Sequence, residues 1–150
     1  MRSRKLLLAI PFVLVGLLAA VTISPNTPPP EITVYKSPTC GCCKAWVKHL
    51  EENGFTVTVH DQDDLAETKE MLGVPVELRS CHTAVIGKYV IEGHVPAADI
   101  ARFLEEEPEA LGLTVPGMVT GSPGMEGPDP QPYEVLAFDH DGRTSVFASH

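Results

Sequence analysis

Between Ile32 and Leu104 the spacing of apolar residues switches repeatedly between that of strands and that of helices, and this constrains the fold more than any other feature. Ile32-Thr33-Val34-Tyr35 reads as a short strand, with Lys36 to Cys40 as the loop after it. From Cys43 the apolar positions 43, 46, 47 and 50 follow helical spacing, and Asn53-Gly54 is a helix stop. Phe55, Val57 and Val59 alternate with threonines as a second strand. Asp63 or Asp64 can cap a second helix that runs to Met71-Leu72 and stops at Gly73. Thr83 to Ile86, a Gly87-Lys88 turn and Tyr89 to Val95 read as a hairpin. Pro96 then opens a third helix with Ala97, Ile100, Phe103 and Leu104 on one face.

The order is β-α-β-α-β-β-α. A βαβ unit followed by a hairpin and a closing helix is the thioredoxin-like arrangement, so the expected class is α/β of that type. Beyond Pro108 the pattern changes. Residues 112–132 contain five glycines and five prolines, which argues against a helix or a central strand there and predicts a loop. Tyr133 to Phe138, an Asp139-to-Gly142 turn and Arg143 to Ala148 predict a terminal hairpin.

The N-terminus reads differently. Arg2, Arg4 and Lys5 precede an uncharged stretch from Leu6 to about Ile23, the order of a secretory signal. The apolar run is also near the lower limit for spanning a bilayer, so residues 1–24 are a signal peptide or an N-terminal membrane anchor. Residues 25–31 form a proline-rich, extended linker, and residues 32–150 the folded domain. The domain is therefore expected outside the cytoplasm.

Residues 1–24 hold three of the 11 basic residues and none of the 20 acidic ones, which leaves 8 against 20, a formal net of −12. That balance argues against nucleic acid, whose binding rests on Lys and Arg contacts to phosphate. It attracts cations without selecting one.

The chemistry lies in four cysteines. Cys40 and Cys43 form a C-x-x-C pair, Cys42 is an extra thiol inside it, and Cys81 stands with His82 just before the third strand. A position between the first strand and the first helix favours negative charge, so thiolates there are stabilised. In a thioredoxin-like fold the loop entering the third strand faces the C-x-x-C, which would bring Cys81 and His82 to the other three sulfurs. Two ordinary disulfides are permitted in an exported protein. A dithiol oxidoreductase needs Cys40 and Cys43 alone. A metal–thiolate site uses all four.

Zinc sites usually take pairs of ligands separated by spacers, whereas Cys42 and Cys43 are neighbours, better placed to bridge two ions. Soft thiolates with thioether and imidazole nearby select Cu(I), so a clustered Cu(I) site is favoured over zinc, and over an iron–sulfur cluster, which export of an unfolded chain before cofactor insertion disfavours. His82 is a ligand candidate because Cys81 adjoins it, and His94 at the end of the hairpin is a candidate for the rim. Met118 and Met125, with Gly or Pro neighbours rather than helical spacing, are candidates for thioether ligation. Trp46 reads as core. His49, His60, His140 and His150 read as surface residues.

The run Val34-Tyr-Lys-Ser-Pro-Thr-Cys-Gly-Cys-Cys-Lys-Ala-Trp46, with Leu72-Gly-Val-Pro75, Ser80-Cys-His-Thr83, Tyr89-Val-Ile-Glu-Gly-His-Val-Pro96, Val115-Pro-Gly-Met118 and Gly121-Ser-Pro-Gly-Met-Glu126, resembles the CopG-type family. These are small exported bacterial proteins described as metal-binding, thioredoxin-like and associated with copper resistance. The resemblance covers Ile32 to the C-terminus. It implies copper handling in the periplasm, with the cysteines at 40, 42, 43 and 81 as ligands and other periplasmic copper-handling proteins as partners. A membrane contact is expected only if the N-terminal segment is retained. The main alternative is a periplasmic thiol–disulfide oxidoreductase acting through Cys40 and Cys43.

Overall fold

The computed structural model describes residues 30–150. The expected signal or anchor segment at 1–24 and residues 25–29 of the expected linker lie outside the described residues. No helix among the described residues is long and apolar enough to cross a membrane.

Strand β1 (Glu31–Lys36) leads into helix α1 (Gly41–Glu52), then β2 (Thr56–Asp61) and the short α2 (Ala66–Met71). A single 3-10 turn, Val76–Leu78, precedes the hairpin of β3 (His82–Ile86) and β4 (Tyr89–Glu92), and α3 (Ala97–Glu106) follows. Strands β5 (Gly112–Thr114), β6 (Glu134–Phe138) and β7 (Thr144–Ser149) complete a mixed α/β molecule. The seven strands form one sheet in the order β2-β1-β3-β4-β5-β6-β7. The β1–β2 and β4–β5 pairs are parallel and the others antiparallel.

Local chemistry accounts for the element ends. Helix α1 begins where the Cys40 sulfur accepts the Cys43 N–H, as an N-cap oxygen would. It ends at Asn53, followed by Gly54 at φ +87°. Asp64 accepts the Ala66 N–H at 2.8 Å, one of the two aspartates expected to start α2, which closes before Gly73 at φ +73°. Cys43, Trp46, Val47 and Leu50 form the buried face of α1, and Ala97, Ile100 and Phe103 belong to that of α3.

Two cores result, one on each face of the sheet. Trp46, Leu50, Ile91, Ile100 and Phe103 belong to the larger, and Val74, Leu78, Val90, Leu111 and Phe138 to the smaller. Val90 and Ile91 are consecutive, so β4 is buried on both sides.

Two expectations need correction. The Gly/Pro-rich stretch does supply a central strand, because β5 lies between β4 and β6. A side chain at Gly112 would place its Cβ 1.7 Å from the Val90 carbonyl oxygen, so glycine is what allows the close approach. The second hairpin strand ends at Glu92 rather than Val95. Gly93 adopts φ +71°, which no strand residue does, and the chain turns so that the Val95 N–H bonds to the Gly93 carbonyl.

Candidate metal centre

The antiparallel pairing of β1 and β3 sets Lys36 opposite His82. The chain therefore leaves β1 towards Cys40 at the same end of the sheet where it enters β3 from Cys81. Sheet register, not sequence proximity, brings the four sulfurs together.

Within the cluster, the Cys42 sulfur lies 3.4 Å from that of Cys40 and 3.8 Å from that of Cys81. The Cys43 and Cys81 sulfurs are 3.5 Å apart. Cys40 and Cys43 are joined as a disulfide, while Cys42 and Cys81 are free thiols. Cys43 is fully buried and the other three are half-buried. All four sulfurs fall within 4.8 Å of one another.

A second group shares Cys81 with His82 and His94, again within 4.8 Å. The His94 Nδ1 lies 2.9 Å from the Pro123 carbonyl oxygen, which can only accept. In the neutral ring Nδ1 therefore carries the proton, and the lone pair of Nε2 faces the Cys81 sulfur at 3.1 Å. The His82 Nδ1 is 3.4 Å from the same sulfur, and its Nε2 is buried without a hydrogen-bond partner among the described residues. It is therefore the Nδ1 side of His82, not the unpartnered Nε2, that faces the thiol.

Burial sets the protonation states. It pushes the Cys81 thiol up to about 12, with the Cys42 thiol adding to the effect. Cys81 lies outside α1, and its thiol is held protonated rather than ionised. Burial also lowers both imidazoles; His94 adds to the shift at His82, whereas the Pro123 carbonyl partly offsets the shift at His94. Both rings are held neutral, the form that donates to a metal. A protonated thiol beside an imidazole lone pair is a ligand pair whose proton a metal must displace.

The loop after β5 crosses the site at three points. Gly117 accepts from the Ser80 hydroxyl, Pro123 accepts from His94, and Gly124 packs on the start of α1. A Cβ at Gly124 would stand 2.7 Å from the Cys42 carbonyl oxygen and 2.8 Å from the Trp46 nitrogen. The loop places the backbones of Met118 and Met125 beside these contacts. The Met118 side chain is 56% exposed and that of Met125 half-buried.

Trp46 is fully buried, donates Nε1–H to the Val95 carbonyl at 2.9 Å, and packs its ring 4.3 Å from that of His82. Of the histidines read as surface residues, His60 and His140 are exposed. His150 is exposed yet paired with Asp99 at 2.7 Å. His49 is not a plain surface residue, since its Nε2 accepts the Ala97 N–H at 3.0 Å and joins α1 to the start of α3. Residue patterns also missed Lys69 and Glu92, a buried ion pair next to the Cys81 loop. The available signal was Glu92 itself, one carboxylate closing an otherwise uncharged strand.

Comparison with known proteins bears on this geometry. Two solved structures, forms 1 and 2 of a copper resistance protein CopG, are each 49% identical to the chain. Each alignment covers 81% of this chain and 98% of the other, with TM-scores of 0.76 and 0.77 respectively. The chain belongs to the CopG family. Residues 78–125 of this CopG-family chain, which include Cys81, His82, His94 and the crossing loop, also match the family described as protein of unknown function DUF411. No curated protein matches it. The cysteine cluster and the copper-resistance relatives together fit copper handling.

Proposed function

We propose that this chain holds Cu(I) through Cys40, Cys42, Cys43 and Cys81 as a multinuclear thiolate site, in copper tolerance in the periplasm. The observation that carries this reading is the gathering of four sulfurs within 4.8 Å from two segments, Cys42 and Cys81 being 39 residues apart. A redox dithiol uses two of them. Soft sulfur donors select monovalent copper over harder ions, and neighbouring thiolates can bridge two ions. His94 and His82 are neutral nitrogen donors at the edge of the cluster, and Met118 and Met125 are thioether candidates carried by the crossing loop.

The scaffold reading goes with it. Strand, helix and strand in parallel, then a hairpin and a closing helix, place Cys40 to Cys43 at a helix N-terminus, which supports a thioredoxin-like domain. The basic N-terminus and the apolar run after it support export, and an alkaline phosphatase fusion to residues 1–31 would report it.

A thiol–disulfide oxidoreductase is the second reading, favoured by the Cys40–Cys43 disulfide. Anaerobic Cu(I) titration of the fully reduced protein against a chromophoric chelator separates the two. Several Cu(I) per chain, lost in Cys42→Ser or Cys81→Ser, is the expected result. Undiminished disulfide reductase activity in those same variants, with only weak copper binding, would overturn it.

A further inference from the structure

Beside the cluster lies a closed polar network that none of the candidate ligands enters. Glu92, fully buried at the end of β4, accepts the Ser80 N–H at 2.6 Å and the Lys69 ammonium at 2.5 Å through one carboxylate oxygen. Its other oxygen accepts the Thr83 hydroxyl. Lys69, buried on α2, also donates to that hydroxyl at 3.2 Å.

The placement of these bonds is specific. Ser80 immediately precedes Cys81, and Thr83 immediately follows His82. One carboxylate therefore grips the chain on both flanks of the Cys81-His82 pair, and its own strand leads through Gly93 into His94. The Gly93 N–H in turn bonds to the His82 carbonyl at 3.1 Å. The Ser80 hydroxyl reaches Gly117 on the Gly/Pro-rich loop, and its N–H is tied through Glu92 to the end of β4.

Stability alone does not explain an ion pair here. Two charges taken from water lose about as much solvation as they regain by attraction, and apolar residues of the same bulk often do as well. What a charged acceptor adds is a directed bond to a backbone N–H, stronger than a neutral one. We propose that Glu92, held by Lys69, is a positioning residue that fixes the Ser80-Cys81 segment so that the Cys81 sulfur faces Cys42 and Cys43. The purpose of that positioning rests on the metal-site reading; the placement itself does not.

The test exploits the two free thiols. With the Cys40–Cys43 disulfide closed, dibromobimane can bridge Cys42 and Cys81, whose sulfurs are 3.8 Å apart, and becomes fluorescent only on double alkylation. Lys69→Met with Glu92→Leu removes both charges and the acceptor while keeping bulk. Lys69→Met with Glu92→Gln removes the charges but keeps an oxygen for the Ser80 N–H. The first pair should slow bridging about tenfold, the scale of a lost supporting contact, and the second, which keeps only a neutral acceptor, should fall between it and wild type. Unchanged bridging in the Leu variant overturns the proposal.

Copper gives the second readout. The Leu variant should lower Cu(I) affinity about tenfold in the wild-type background and not at all when Cys81 is already Ser. An equal loss in both backgrounds marks general destabilisation and overturns the proposal. If the Leu variant loses its far-ultraviolet dichroism, Glu92→Asp replaces it, keeping the ion pair while drawing the oxygen back from Ser80, and slow bridging is again expected. Wild-type protein that bridges as expected but takes up no Cu(I) would sink the metal reading and leave the positioning role standing.

Discussion

The His94 Nε2 stands 3.1 Å from the Cys81 sulfur, because the two residues, 13 apart in sequence, flank the open end of the β3–β4 hairpin. The Pro123 carbonyl accepts a hydrogen bond from the Nδ1–H, so the neutral ring presents its Nε2 lone pair to the thiol. His94→Ala should lower Cu(I) affinity about tenfold while leaving Cys40, Cys42 and Cys43 able to chelate. Competition titration with a chromophoric chelator measures this. An affinity equal to wild type would remove His94 from the ligand set.

Gly124 tests the crossing loop. Its φ of +83° and the backbone atoms of Cys42 and Trp46 facing it leave no room for a methyl group. Gly124→Ala should cost about 1–3 kcal/mol and lift the loop from the start of α1. Urea denaturation reads the first effect and a faster alkylation of Cys42 the second. Unchanged alkylation would mean that the loop does not cover that thiol.

Trp46 links the site to the core through its bond to the Val95 carbonyl, one residue beyond His94. Trp46→Phe keeps an aromatic ring against His82 but leaves that carbonyl unpaired. The expected loss is about 1–3 kcal/mol of folding stability, read by chemical denaturation. A loss well below that range would show that water reaches the Val95 carbonyl.

His49 carries a pH dependence. Its Nε2 can accept the Ala97 N–H only when unprotonated, and burial holds its pKa below the ordinary 6.5 against the pull of Glu126 and Glu52. The unfolded chain then binds the proton more readily, so stability falls as pH drops through about 6.5 and until the folded pKa is passed. His82 and His94 shift in the same direction. Glu92, raised by burial from 4.5 to about 7, acts oppositely between those values, so the comparison must be between variants. Metal-free His49→Gln should lose less stability than wild type between about pH 7 and about pH 5, measured by urea midpoints. Equal losses would show that His49 is not the titrating group.

Lys69→Met alone strands the Glu92 carboxylate, and breaking a buried pair in this way costs about 3–5 kcal/mol. Adding Glu92→Leu should return most of it. Thermal denaturation of the single and double variants decides this, and a double variant as unstable as the single would show that the network is needed for folding itself.

Much of the fold was legible because its signals are local. The order of strands and helices from Ile32 to Leu104 follows from period, caps and glycine stops, each within a few residues of its effect. Strand β5 was not legible. Its pairing with β4 is parallel and follows a whole helix, and the close approach at Gly112 depends on where Val90 lies. His49 was misread for a related reason, since its partner Ala97 is 48 residues away.

The candidate site divides in the same way. The sequence by itself determined which residues are the candidates for the chemistry, because three thiols within four positions and a fourth beside an imidazole are a matter of composition and spacing. Only the tertiary structure decided how they meet. The pairing of Lys36 with His82 in the sheet brings Cys81 to the other sulfurs, and the positive φ of Gly93 turns His94 inward. Glu92 and Lys69 acquire a role only when burial leaves each the other's nearest charge. Such long-range relations depend on sheet register and packing, which no local stretch of residues encodes.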